Sequence, residues 1–236
     1  MYIAMTVSKD NYGNLGDYFV QEGLANRITP FNTAKNGKNI DTQKMYDNLM
    51  NRFAFGGIDK PGIYLDETVM RMCSTHRRIF SMLATRLVQE GELEKAANVV
   101  EKVEKAIPAT SVPHSYNSGS LELARVWNTL GKKEEACSIA YPVAVQAQEY
   151  LEWYLSLPSK ILLISEKECY YNLYQMHTAL AVLQSAGSDK SAELSEKLDS
   201  YNYRIQSRLY GSVGMSATDA QGTEEETLVE EGDETL

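Results

Sequence analysis

From Asp66 onward the apolar residues fall at helical spacing. Val69, Cys73, His76, Phe80, Leu83 and Leu87 recur at steps of four, three, four, three and four. One such stripe predicts an amphipathic helix, with Asp66 as its N-cap. Gly91 ends it, Leu93 to Ile107 predicts the next, and Pro108 closes that one. Leu121–Leu130 predicts a helix broken by Gly131, and Lys133–Leu155 another. Pro142 is expected to interrupt the latter, because an internal proline lacks the N–H that the preceding turn needs. Lys167–Ala186 and Ser191–Tyr210 predict the last two helices, with Gly187 between them.

The first 65 residues follow another pattern. Tyr2–Ser8 is β-branched and aromatic and predicts a strand. A lone strand is unstable, so it needs a partner, either later in this chain or in sequence preceding Met1. Asp17 predicts the N-cap of a short helix over Tyr18–Asn26, and Arg27–Phe31 reads as extended around Pro30. Thr42–Phe53, with Met45, Leu49 and Phe53 four residues apart, predicts a helix stopped by Gly56-Gly57.

The helix breaks repeat. Gly91, Gly131 and Gly187 are each followed five residues later by an alanine: Ala96, Ala136 and Ala192. A glycine there can take the left-handed conformation that ends one helix. An alanine then suits the close crossing of the helix that returns. The first two units are 40 residues apart and the third is 56 further on, against about 34 in a standard tetratricopeptide repeat. The expected fold is therefore mainly α: a tetratricopeptide-like α-α superhelix of about three helix pairs. Residues 1–65 form a strand-containing N-terminal segment, 66–210 the repeat domain, and 211–236 a disordered acidic tail. The rival reading is an ordinary helical bundle with glycines at its helix ends.

Charge sharpens this division. The net charge of −9 is uneven, for Ser216 to the end holds eight acidic residues and no basic one. The remainder carries 23 basic and 24 acidic residues, a nearly neutral body without the basic excess that attracts nucleic acid. The sequence contains no apolar run of the ~20 residues that span a bilayer, and Met1 is not followed by a signal-peptide pattern. Cys73, Cys137 and Cys169 are widely spaced and lie in apolar helical patterns, so they read as core thiols and not as a zinc site.

Little in the sequence points to catalysis. It carries no nucleophile elbow, phosphate-binding loop or zinc-protease motif, and no metal or cofactor is expected. His76 lies on the apolar stripe and reads as a packed histidine, while His114 sits in a Pro-His-Ser-Tyr loop that could border a groove. A soluble enzyme with a site around His76 and His114 is the alternative function, and a structural or dimerisation spacer is a third. Tyrosine is the unusual residue, fifteen against five phenylalanines. Its apolar ring and polar tip suit a half-exposed surface that holds a peptide or stacks on sugar rings, though gap-filling between helices is the commoner use. His114, Tyr116, Trp153, Tyr154, Tyr170 and Tyr174 are the candidate partner-surface residues.

Several stretches resemble the C-terminal soluble region of a bacterial family of multi-pass membrane proteins related to protein O-mannosyltransferases. They are Tyr2–Ser8, Glu22–Pro30, Met45–Met50, Gly56–Asp59 with Tyr64–Asp66, and Thr75–Arg77. Pro108, Val112–His114, Ser118–Ser120 and Tyr150–Tyr154 fit the same pattern, with weaker likeness to Tyr210. The resemblance implies that Met1 interrupts a longer chain and that glycosyl-transfer chemistry belongs to a membrane part outside this sequence. It also implies an extracytoplasmic, periplasmic location, tethered to a membrane. The function expected is thus a non-catalytic helical-repeat interaction module that binds a protein or glycan partner in its groove.

Overall fold

Tyr2 and the residues after it do find a partner within the chain. In the computed structural model, which describes residues 1–35, 37–60 and 62–219 with side chains to Gly211, strand β1 (Tyr2–Ala4) pairs antiparallel with β3 (Ala25–Ile28). Strand β2 (Phe19–Gln21) pairs antiparallel with the other edge of β3, giving a three-stranded sheet of order β1-β3-β2. The helix expected over Tyr18–Asn26 does not form. Gly23 has φ +131°, which no helix allows, and the Glu22 N–H donates to Ala25 O to close a hairpin. Tertiary contacts override the weak helical signal. The Glu22 carboxylate, 4% exposed, takes hydrogen bonds from Arg27 on β3, Tyr2 on β1 and Lys44 on helix α1 (Thr42–Asn51). Burial alone would raise the Glu22 pKa, but these three donors outweigh it and bring the net value below the ordinary carboxylate range.

Helix α1 begins where Asp41 accepts from Lys44 N (3.0 Å), and it buries Met45 and Leu49 against α2. Then come α2 (Glu67–Gln89), α3 (Leu93–Ala106), α4 (Ser120–Thr129), α5 (Lys133–Ser156), α6 (Ser159–Ile164), α7 (Glu166–Ala186) and α8 (Ser191–Asp219). The chain is mainly helical. The Asp66 carboxylate caps α2 by accepting from Val69 N (2.8 Å). Consecutive long helices fold back on one another as α2/α3, α4/α5 and α7/α8, and α5 packs most extensively on α7. Buried residues of α1 to α8 form one contiguous apolar core.

Two expectations about helix limits fail. α5 is unbroken at Pro142, which faces solvent while Ile139, Ala140, Val143 and Ala144 around it are buried. The packing of those neighbours maintains the helix across one missing hydrogen bond. α8 continues past Gly211 and Gly214 to Asp219, because extending an existing helix needs no new nucleus. The rest of the acidic tail, 220–236, lies outside the described residues. Among the described residues no helix is long and apolar enough to cross a membrane.

All three glycine junctions close in the same way. Gly91, Gly131 and Gly187 have φ of +80°, +79° and +75°. The residue after each donates its N–H to the carbonyl five positions back, Glu92 to Leu87, Lys132 to Trp127 and Ser188 to Leu183. Ala96 and Ala136 are 0% exposed at the returning crossing, but Ala192 is exposed. The third connection is two residues longer, since α8 starts four residues after its glycine whereas α3 and α5 start two after theirs. The inward position therefore moves from Ala192 to Leu194, which is 3% exposed. Ala96→Leu and Ala136→Leu should each destabilise the protein by about 2 kcal/mol through overpacking. Ala192→Leu should stay within about 0.5 kcal/mol of the parent. Urea denaturation of the three variants checks this ranking.

Candidate functional site

Helices α5 and α7 share the most extensive helix-to-helix packing of the fold. The buried residues of α5 include Ala136, Ala140, Ala144 and Ala147, small side chains that let neighbouring helices approach, and those of α7 include Cys169, Met176, Ala179 and Leu183. Toward the C-terminal half of α5 the small residues give way to large ones, and the helices leave a cavity of about 300 Å³. Gln146, Tyr150 and Tyr154 line it from α5 at four-residue spacing, hence on one face. Glu168, Tyr171, Asn172 and Gln175 line it from α7. Ser115, Tyr116 and Asn117 close its third side from the loop between α3 and α4. A second cavity of about 460 Å³ adjoins it, sharing Gln146 and Tyr150 and adding Glu149 and Trp153.

The aromatic wall is preassembled. The Tyr116 ring stands edge-on to Tyr171 (5.7 Å between centroids) and Tyr174 (6.0 Å), and Trp153 packs edge-on to Tyr154 (4.8 Å). The Tyr171 hydroxyl donates to Asn117 Oδ1 (2.7 Å), which ties α7 to the loop. Burial, then the adjoining Tyr174 hydroxyl, pushes the Tyr116 phenol up to about 12. Burial and the Glu168 carboxylate raise Tyr154 as well. Both phenols are thus protonated donors at neutral pH.

What holds the loop is a buried arginine. Arg77 of α2 is 0% exposed, and its guanidinium donates to Ile107 O (2.8 Å), Val112 O (2.7 Å) and Pro113 O (3.1 Å). Burial pushes its pKa down, opposed by the Glu104 carboxylate, and an arginine remains charged nonetheless. Behind the loop runs a polar chain: Ser118 Oγ to Ser120 Oγ (2.7 Å), Ser120 Oγ to His114 Nδ1 (2.9 Å), and His114 Nε2 to Glu104 Oε2 (3.4 Å). Its order resembles a nucleophile, base and acid. Both serines are 0% exposed, however, so no substrate carbonyl can approach either hydroxyl here. The chain serves to satisfy polar groups under the loop. A parallel arrangement operates at the other irregular connection, where Arg208 of α8 donates to Leu155 O, Leu157 O and Ser159 Oγ across the α5–α6 turn.

The six partner-surface candidates are scattered about this site. Tyr116 and Tyr154 line the first cavity and Trp153 the second. Tyr174 is 58% exposed beside Tyr116. His114 is 7% exposed and lies behind the cavity wall, not on a groove, because Ser120 and Glu104 draw its ring inward. Tyr170 is half-buried, interacts with Tyr210, and lines neither cavity. His76 Nδ1 donates to Met72 O (2.7 Å), and its ring meets the edges of Phe53 and Phe55. Its partners are not those of His114, so the two histidines do not assemble around one centre. Gln146, Asn172 and Gln175 went unpredicted, since no sequence pattern separates an amide facing a cavity from one facing solvent. Among the described residues no cluster of three His, Cys, Asp or Glu side chains is placed to hold a metal.

Compared with protein-family models, with curated proteins and with solved structures, the chain matches none.

Proposed function

We propose that the chain is a non-catalytic helical-repeat interaction module, tetratricopeptide-like in design, that receives a partner in the tyrosine-lined pocket between α5 and α7. The repeat reading is supported by three helix hairpins whose glycine junctions close through the same hydrogen bond. The observation that carries the binding reading is the lining: four tyrosines, four side-chain amides, one serine and one carboxylate around a preformed cavity. Large apolar faces with a few convergent polar groups are the usual make-up of ligand sites. Among the described residues the lining includes no histidine, cysteine, lysine or arginine, so it is better suited to holding a ligand than to moving protons on one.

The likeness in stretches such as Glu22–Pro30 and Tyr150–Tyr154 supports a wider placement. In it the module is the extracytoplasmic C-terminal part of a membrane glycosyltransferase-like protein and presents acceptors to that protein. The experiment is a binding screen of the full chain against arrayed peptides and arrayed glycans. Tyr150→Ala/Tyr171→Ala serves as the groove variant. The reading expects a ligand whose affinity falls roughly tenfold or more in the variant, as truncated interface aromatics produce. Ligands held equally by parent and variant, or no ligand in either array, would overturn it.

A further inference from the structure

Resting on that reading, we propose that the pocket is a subsite for one ring of a neutral oligosaccharide, with the adjoining cavity taking the next ring. The polar groups decide between ligand classes. Gln175 is 8% exposed, and its amide makes no hydrogen bond to another described residue while it lines the cavity. Asn172 is 6% exposed and spends its NH2 on Glu168 O (2.8 Å), leaving its carbonyl for the cavity. The Gln175 amide and the Asn172 carbonyl therefore pair with water or with a ligand that enters the cavity. Gln146 adds a second pair of donor and acceptor, and the Glu168 carboxylate can accept from two neighbouring hydroxyls at once.

A sugar ring matches this set. Its C–H faces lie on aromatic rings, and its hydroxyls, each a donor and an acceptor, meet the amides at its rim. The charge balance is equally selective. Among the described residues neither cavity has a lysine or arginine in its lining, while Glu168 and Glu149 face them, so uronic, sialic or phosphorylated sugars are disfavoured. A quaternary ammonium would suit the rings but would leave the amides unpaired. An extended peptide needs partners strung out at about 3.3 Å per residue. Here the polar groups converge from α5, α7 and the 115–117 loop on one volume of about 300 Å³. The second cavity, about 460 Å³ beside the half-exposed Trp153, continues the aromatic floor past Tyr150 as a chain of rings requires.

The test is calorimetric titration of the full chain with neutral mono- and trisaccharides of the gluco, galacto, manno and N-acetylglucosamine series. Choline and the tightest peptide from the array are the competitors. The expected result is millimolar or tighter binding of at least one trisaccharide, stronger than its monosaccharide. Gln175→Ala and the shape-preserving Glu168→Gln should each weaken it roughly tenfold. Tyr203→Ala, which alters an exposed tyrosine outside both linings, should leave it unchanged. Thermal melts confirm that the variants are folded. No saccharide binding, or binding untouched by both pocket variants, overturns the glycan assignment. Choline or a peptide bound in a Gln175-dependent way overturns the assignment too, yet leaves the interaction-module reading standing.

Discussion

Gly119→Ala is expected to destabilise the protein by about 4 kcal/mol. Gly119 has φ +75°, a conformation that costs a residue with a Cβ about 1–2 kcal/mol. The larger part comes from contact. A Cβ there would stand 2.3 Å from Ser81 Oγ and 2.8 Å from Arg78 Cα. Ser81 is 1% exposed and its hydroxyl donates to Arg78 O (2.8 Å), so it has little room to turn away, and the backbone of α2 has none. Relief requires α4 to move off α2, an overpacking cost of about 1–3 kcal/mol. Gly187→Ala is the matched control, with the same φ of +75° and nothing within 4 Å of the added carbon. It should lose only about 1 kcal/mol. Urea denaturation of both separates the two contributions, and equal losses would show that close approach is not the cause.

Arg77→Ala is expected to cost about 4 kcal/mol, for a different reason. It strips three carbonyls of one loop of their donors and leaves a void among buried side chains. Each buried carbonyl left unpaired costs about 1–3 kcal/mol, less where the loop loosens enough to reach water. Arg77→Lys should recover at most about half of the loss, because an ammonium is a point charge without the planar fork that reaches three acceptors. The consequence extends to the site. Ile107, Val112 and Pro113 precede Tyr116 and Asn117 in the same loop, so freeing them frees the third wall of the cavity. Denaturation reports the stability. Tyr116 and Asn117 resonances, compared between parent and Arg77→Lys, report the wall.

Most of the helical body was legible in the sequence. α2, α3, α4, α5 and α7 appear within a few residues of where three- and four-residue spacing predicts them, and the glycine breaks mark their ends. α6 escaped notice because six residues are too few to show a period, and only Leu162 in it is buried. The sequence predicts a helix where the hairpin at 19–28 forms, since its strands are only three and four residues long and Glu22 finds its partners as far along as Lys44. Ala192, expected at a crossing, is exposed for a simpler reason. Counting residues from a glycine cannot reveal that the following turn is two residues longer.

The site was legible only as an excess of tyrosine. Tyr150, Trp153 and Tyr154 form a visible cluster, as do Tyr170, Tyr171 and Tyr174, yet Tyr170 lines neither cavity while Tyr150 and Tyr171 do. Arg77 stands beside the apolar stripe of its helix like any solvated arginine. Its acceptors lie 30 to 36 residues further on, in a loop whose path no local pattern encodes.

By itself the sequence determined α2, α3, α4, α5 and α7 to within a few residues, and the three-fold use of a glycine to reverse direction. All of these depend on neighbours within one or two turns. Tertiary structure alone decided that α5 and α7, separated in the chain by α6, lie side by side, and that a buried arginine brings the 115–117 loop to their rim. The buried alanines of α5 run over about three turns, from Ala136 to Ala147, and the groups that line the cavity come from three segments. Their convergence is a property of helix crossing and of long-range hydrogen bonds, which spacing along a single helix does not record.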